Sequence, residues 1–177
     1  METNYYLTMD LPFENNPDIQ KDLKIHFLLP GTIFVSKVPC IINTILGSCV
    51  AVCIWDKVSK IGGMNHIMLP LWNGNGLASP KYGNIATDVL YEKLLNYGAN
   101  PSYMSAKIFG GAGILEHNNT SVFNIGERNT EIALEVLKKY KIPVISQNTG
   151  GTKGRKIMFF SETGIVRMKY IEKTNFE

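Results

Sequence analysis

The chain has 177 residues, of which 45% are hydrophobic and 19% are charged. This composition excludes a disordered or fibrous protein and predicts one globular domain with a substantial core. The longest apolar runs, such as residues 50–55, are far shorter than the roughly 20 residues that span a bilayer. Residues 1–18 have neither the basic nor the apolar region of a signal peptide, so a cytoplasmic protein is expected.

The formal net charge of +3 is distributed unevenly along the chain. Residues 1–24 are rich in acids and predict a flexible polar arm before a single domain over 25–177. Basic residues near the C-terminus predict either a solvated sheet face or a docking surface for an acidic partner. Nucleic acid is not expected as that partner, because no aromatic residues alternate with these charges on a recognisable reading element. The basic residues are Lys153, Arg155, Lys156, Arg167, Lys169 and Lys173.

The first elements of the domain are predicted to be strands. One strand is expected after Pro30-Gly31, and two more are expected over 41–46 and 49–56, where β-branched and apolar residues are dense. Residues 50–55 are apolar at both odd-numbered and even-numbered positions. This strand is therefore expected to be covered on both faces.

The polar turn "DKVSK" leads into a further strand, predicted over 61–69 and ended by Pro70. Two strands so close in sequence are expected to form a hairpin. The hairpin would bring Cys49 and His66 near each other at one end.

The second half of the chain is predicted to alternate helices and strands. Apolar spacing predicts amphipathic helices over 85–99 and 124–140, separated by a strand at 105–111. A strand at 142–147 and a closing hairpin over 156–171 complete an α/β protein with a mixed sheet. The residues expected to face inward are Ile85, Val89, Leu90 and Leu94 in the first helix, and Ile132, Val136 and Leu137 in the second.

The three cysteines, Cys40, Cys49 and Cys53, cannot all pair within one chain and are expected to be free thiols. A zinc site is not expected, because the histidines are scattered and Cys49-x-x-x-Cys53 has no second ligand pair at a suitable spacing. Cys49 is therefore either a core residue or a nucleophile.

Two glycine-rich stretches, "GGAG" at 110–113 and "TGGTKGRK" at 149–156, resemble phosphate-binding loops only superficially. Neither has the glycine spacing of a dinucleotide fingerprint or a P-loop. Tight turns or close chain approach are the expected reasons for these glycines.

Cys49 and His66 are the residues most suited to chemistry. A cysteine reacts as the thiolate, and a nearby imidazole can take the thiol proton and return it to a leaving amine. Gly47 and Ser48 add little side-chain bulk, so backbone N–H groups there can form an oxyanion hole. A hydroxyl such as that of Thr44 can orient the imidazole. From spacing alone, a core role for both residues remains open.

Five segments in order resemble the CheD family, the chemoreceptor glutamine deamidases of bacterial chemotaxis. They are "TILGSCVAVCIWD", "KIGGMNHIMLP", "AKIFGGAGIL", "NIGERN" and "GGTKGRK", within a match from about Pro30 to Ile171. The resemblance implies a cysteine hydrolase with a Cys-His-Thr constellation, in which Cys49 is the nucleophile and His66 is the base. It also implies a mixed β-sandwich with flanking helices, similar to the catalytic domain of the cytotoxic necrotizing factor toxins.

The family threonine lies five or six residues before the cysteine, which corresponds to Thr44 or Asn43 in this chain. Thr44 is the predicted third member. Asn43 is the alternative partner for His66, in the manner of thiol proteases.

The resemblance implies hydrolysis of selected glutamine side chains on methyl-accepting chemotaxis proteins, through a thioester and without metal or organic cofactor. It also implies some hydrolysis of glutamyl methyl esters. Membrane contact would occur only through the receptors. The alternative role is a regulatory binding partner of a CheC-type phosphatase, with catalysis secondary.

Overall fold

The computed structural model describes residues 23–113 and 125–171. The predicted arm over 1–24 therefore lies outside the described residues except for its last two positions. The strands are β1 Lys24–Phe27, β2 Ile33–Ser36, β3 Cys40–Leu46, β4 Val50–Asp56, β5 Ile61–Asn65, β6 Met104–Gly110, β7 Val144–Thr149, β8 Arg155–Phe160 and β9 Val166–Tyr170. The α-helices are α1 Gly83–Asn96 and α2 Ile125–Lys139, and a 3₁₀ helix covers Pro101–Tyr103.

The strands form two sheets rather than the one mixed sheet that the order of elements predicted. The first has the order β1-β3-β8-β9, and the second has the order β2-β5-β4-β6-β7. Each sheet contains one parallel pair, β1 with β3 and β6 with β7, and the other neighbours are antiparallel. A mixed β-sandwich with flanking helices is thus confirmed.

Alternation along β3 and β4 shows how the layers pack. The odd-numbered residues of β4, including Ala51 and Cys53, join Ile42 and Leu46 of β3 in the core between the two sheets. The even-numbered residues of β4 join the buried faces of α1 and α2 in a second core. Strand β4 is therefore covered on both faces, as predicted.

The helices cover the outer face of the five-stranded sheet. Helix α1 buries Ala86, Leu90 and Leu94, spaced four residues apart on one stripe. The predicted stripe was partly wrong, because Ile85 and Val89 are only half-buried beside it. Helix α2 buries Ile132, Val136 and Leu137, as predicted. In the described part of the chain, neither helix has both the length and the apolar composition needed to cross a bilayer.

The β4–β5 hairpin is confirmed, but β5 ends at Asn65 rather than at residue 69. The ladder is interrupted because the Asn65 side chain, and not a backbone carbonyl, accepts from the Val52 N–H at 2.9 Å. Pairing resumes at a single bridge, in which Val50 and Ile67 exchange backbone hydrogen bonds of 3.0 and 2.7 Å.

Candidate functional site

Cys49 and His66 lie on the same face at the open end of the hairpin. The Val50–Ile67 bridge sets the register, so that Ala51 lies opposite His66. Because side chains alternate along a strand, Cys49 shares the inner face with Ala51 and is the diagonal neighbour of His66. Such neighbours have Cα atoms about 7–8 Å apart, within reach of two side chains. The register is therefore compatible with the predicted proximity, and His66 Nε2 forms no hydrogen bond with Cys49 Sγ in the described structure.

Thr44 reaches His66 from the opposite sheet. The even-numbered residues of β3 face the core between the sheets, and Thr44 is among them. Its Oγ1 lies 2.8 Å from His66 Nδ1, and both side chains are only 1% exposed. Asn43 is an odd-numbered residue of β3, so it lies on the outer face of this strand, together with Ile41. The structure thus joins Thr44, and not Asn43, to His66.

The hydrogen bonds of Thr44 determine the tautomer of His66. Thr44 Oγ1 is also 2.8 Å from the Leu28 carbonyl oxygen, which can only accept, so the hydroxyl donates its proton to Leu28. The hydroxyl oxygen must then accept from His66 Nδ1–H. The neutral imidazole consequently has its lone pair on Nε2. This nitrogen is buried and has no hydrogen-bond partner in the described part of the chain.

Burial keeps both reactive groups uncharged near neutral pH. It lowers the pKa of His66 from 6.5 to about 4, and the nearby Leu28 carbonyl opposes this change. Burial likewise raises the pKa of the Cys49 thiol, and the backbone N–H of Cys49 itself opposes that shift. The pair is therefore a neutral thiol and a neutral imidazole, rather than a preformed ion pair.

The loop before β4 has each of its three carbonyls held by another part of the chain. The Gly47 oxygen accepts from Ala112 N at 2.9 Å, the Cys49 oxygen from Gly111 N at 2.8 Å, and the Ser48 oxygen from Asn129 Nδ2 at 3.2 Å. In a trans peptide the C=O and N–H groups point in opposite directions. The N–H groups of Ser48 and Cys49 are therefore directed away from these contacts. Neither donates to a backbone carbonyl within residues 23–113 and 125–171.

Asn129 is a site residue that the sequence reasoning missed. It lies on α2, is 0% exposed, and donates through Nδ2 to the carbonyls of both Ser48 and Met68, each at 3.2 Å. Its own Oδ1 is buried and has no partner among the described residues. The motif "NIGERN" was recognised in the sequence, but nothing in it indicated a contact with a loop 81 residues earlier.

Gly110 and Gly111 form the wall beside Cys49. Both have positive φ, 109° and 67°, and a Cβ at Gly110 would collide with the Cys49 carbonyl. The expectation of turns and close chain approach is thus confirmed for these glycines.

The predicted basic surface divides into two parts. The register of β8 and β9 places Lys156, Arg167 and Lys169 on the outer face of the four-stranded sheet. Arg155 precedes Lys156 on β8 and therefore lies on the opposite, inner face of this strand. It is only 2% exposed. Its inclusion in an exposed basic surface was wrong, because the side chain is buried and its guanidinium donates to the Asn148 side chain and to the Gly150 and Lys153 carbonyls.

No three metal-binding side chains come together among the described residues. All three cysteines are free, and Cys49 is half-buried while Cys40 and Cys53 are buried.

Comparison with known proteins adds independent information. A family model described as CheD chemotactic sensory transduction matches residues 68–170, a range that begins just after His66. A probable chemoreceptor glutamine deamidase CheD of Trichlorobacter lovleyi is 49% identical over 144 residues, which are 81% of this chain and 89% of the relative. The corresponding protein of Sulfurimonas denitrificans is 47% identical over 150 residues, covering 85% and 96% of the two chains.

Among solved structures, the hypothetical protein YfiH of Bacillus licheniformis is similar, with a TM-score of 0.46 and 16% identity over 72% of this chain and 60% of that one. The family model and the identity to the curated relatives agree with the motif order read from the sequence. This chain belongs to the CheD family.

Proposed function

We propose that this protein is a cysteine-dependent deamidase that converts selected glutamine side chains of methyl-accepting chemotaxis receptors to glutamate. The observation that carries the proposal is the buried His66, whose Nε2 has no hydrogen-bond partner among the described residues and which lies on the same face of the hairpin as Cys49. A buried polar atom without a partner costs free energy, so its retention favours a chemical role over a packing role. The names of the relatives supply the substrate, chemoreceptor glutamine.

In the proposed acylation, the Cys49 sulfur attacks the carboxamide carbon while its proton passes to His66 Nε2. The negative charge that develops on the amide oxygen is held by the N–H groups of Ser48 and Cys49. Imidazolium Nε2–H then donates to the departing nitrogen, so that ammonia leaves and a thioester remains. Gly47 enters this scheme through its carbonyl bond to Ala112, which orients the Ser48 N–H.

In the proposed deacylation, a water molecule attacks the thioester carbon and gives a proton to His66. The imidazolium returns that proton to the sulfur, and glutamate is released with the thiol restored. A glutamyl methyl ester would follow the same path with methanol as the leaving group. Neither metal nor organic cofactor enters these steps.

Asn129 acts in this proposal as a positioning residue. By holding the Ser48 carbonyl, it orients the Ser48–Cys49 peptide so that the Cys49 N–H faces away from α2. By holding the Met68 carbonyl as well, it ties the loop to the segment that follows His66.

The alternative of a purely regulatory partner for a CheC-type phosphatase is less well supported. A binding surface does not need a buried imidazole whose tautomer is set by Thr44. Location in the cytoplasm is part of the proposal, since the signalling portions of the receptors lie there and the three cysteines are free thiols.

The direct test is to incubate the protein with purified receptor cytoplasmic domains and follow their peptides by mass spectrometry. Each converted glutamine is expected to gain about one dalton, and blocking the thiols with iodoacetamide beforehand is expected to prevent the gain. Receptor peptides whose mass is unchanged by the active protein would refute the proposed function.

The pH dependence provides a separate prediction. The catalytically active form of the enzyme has a neutral His66 and a protonated Cys49. On the acid side, kcat/KM is therefore expected to fall only below about pH 4, where His66 becomes protonated. Above the raised pKa of Cys49 the proton needed by the leaving ammonia is lost, so kcat/KM falls again. Iodoacetamide reacts with the thiolate alone, and its rate is expected to be still rising at pH 9. A loss of kcat/KM with a midpoint near 6.5 would contradict the burial of His66.

A further inference from the structure

A cavity of about 580 Å³ opens beside the candidate site, at the edge of the sandwich where β7 and β9 approach each other. Its walls are the end of β7, the loop over 150–153, Arg155 and Tyr170. Amide, hydroxyl and backbone groups dominate this lining, together with the buried Arg155 and the exposed Lys153. The cavity is therefore suited to a polar or charged ligand group.

Arg155 is the unusual feature of this cavity. Its Nε donates to Asn148 Oδ1 at 2.6 Å, Nη2 to the Gly150 carbonyl at 2.6 Å, and Nη1 to the Lys153 carbonyl at 3.2 Å. The ring of Tyr170 lies 5.4 Å from the guanidinium carbon. In the described ranges no carboxylate forms a salt bridge with this side chain, although it is only 2% exposed.

Among the described residues, hydrogen bonds to neutral groups are all that compensates this charge. Almost all fully buried arginines are paired with an acid, because a buried charge without a counter-charge is costly. Neutral oxygens need only neutral donors, so anchoring the loop alone would not require a guanidinium. Three of the five N–H groups donate to the Asn148, Gly150 and Lys153 oxygens, and the Tyr170 side chain also hydrogen-bonds the guanidinium. A remaining N–H can form a charge-assisted hydrogen bond with a carboxylate oxygen.

The cavity is linked to Cys49 by a short series of backbone contacts. Gly150, whose carbonyl binds Arg155, donates to the Gly110 carbonyl at 3.0 Å, and Gly111 donates to the Cys49 carbonyl at 2.8 Å. In the β3–β8 ladder, Arg155 is paired with Leu46, three residues before Cys49. A group bound in the cavity would therefore lie close to the residue that reacts with Cys49.

We propose that this cavity is a carboxylate subsite, in which Arg155 binds an acidic side chain that neighbours the target glutamine in the polypeptide substrate. The inference rests on the proposed function and adds a determinant of which glutamines are chosen. A single carboxylate compensates the single buried guanidinium, whereas a phosphate dianion would also need the charge of Lys153 at the rim. Lys153 lies at the rim, where it is solvated and contributes less.

Binding can be tested without turnover by NMR of the arginine Nε–H groups in the full chain. The sequence has only three arginines, Arg128, Arg155 and Arg167, so each signal can be assigned from one Arg→Lys variant. N-acetylglutamate α-methylamide is expected to shift the Arg155 signal in a saturable way. The neutral glutamine analogue is expected not to do so, and Lys153→Gln, the matched rim variant, is expected to retain the shift. The assignment of a carboxylate subsite would be overturned if the Arg155 signal did not shift or if the neutral analogue shifted it equally. Tighter binding of inorganic phosphate than of the carboxylate would also overturn it.

A double-mutant cycle then tests the role in substrate choice. Acidic residues near a deamidated glutamine of the receptor domain are neutralised one at a time, and KM is measured with wild type and with Arg155→Gln. Neutralising the acidic residue that binds Arg155 is expected to raise the KM of the wild-type enzyme about tenfold, which corresponds to the loss of one charge-assisted hydrogen bond. The same change in the receptor is expected to leave the KM of Arg155→Gln unaltered. Equal effects on both enzymes would refute the subsite. The NMR experiment measures carboxylate binding without any receptor, so its result holds even if the receptor proves not to be the substrate. Failure of the subsite and failure of the proposed function can therefore be distinguished.

Discussion

Replacing Cys49 with alanine is expected to reduce glutamine deamidation by about 10⁴-fold or more, because the thioester can no longer form. Cys49 is also the most accessible of the three cysteines. Iodoacetamide is therefore expected to label it first, and labelling of one residue per chain should coincide with loss of activity. The measurement is the conversion of receptor glutamine to glutamate by mass spectrometry, with peptide mapping of the labelled cysteine.

Cys53→Ala is the matched control for this prediction. Cys53 lies four residues later, on β4, and faces the same inner side; it is 1% exposed and packs in the core between the sheets. Its replacement is expected to lower the free energy of unfolding by about 1 kcal/mol and to leave turnover within about twofold of wild type. Equal loss of activity in both variants would mean that the cysteines act through folding, and the nucleophile assignment would fail.

The second large effect is expected at His66. His66→Gln keeps a polar side chain of similar size but removes the base, and kcat is expected to fall by about 10²–10⁴-fold. Thr44→Val should have a smaller effect in the same direction, because Nδ1–H loses its acceptor and the required tautomer is no longer favoured. Thr44→Ser retains the hydroxyl and is expected to restore most of kcat. The quantities to compare are kcat and KM of the purified variants.

Asn43→Ala is the matched control for Thr44. The two residues are adjacent on β3 but face opposite sides of the sheet. Asn43→Ala is expected to leave kcat within about twofold of wild type. A large loss with Asn43→Ala together with an active Thr44→Val would show that the hydrogen bond between Thr44 and His66 does not orient the catalytic imidazole.

Much of the second half of the fold was predictable from local patterns. The β8–β9 hairpin and the two helices depend on neighbouring residues, and they appear close to their predicted positions. Strand β1 was not predicted, since its four residues, Lys24–Phe27, are mostly exposed and carry no clear alternation. It exists because it pairs in parallel with β3, a contact between separate parts of the chain.

The choice between one sheet and two could not be made from the order of strands. Strand β3 lies next to β4 in sequence but pairs with β1 and β8 in the other sheet. The loop over Gly47 to Cys49 therefore crosses from one layer to the other. That crossing is what allows Thr44 to approach His66 across the core between the sheets.

By itself, the sequence determined the CheD family, the buried strand that begins beside Cys49, and the closeness of Cys49 to His66. These properties depend on motif order and on a hairpin, both of which are local along the chain. Only the tertiary structure decided that Thr44 rather than Asn43 contacts His66, and that Asn129 holds the Ser48 carbonyl. It also decided that Arg155 is buried. Each of these depends on which face of a strand meets a distant layer, and one-dimensional spacing does not contain that information.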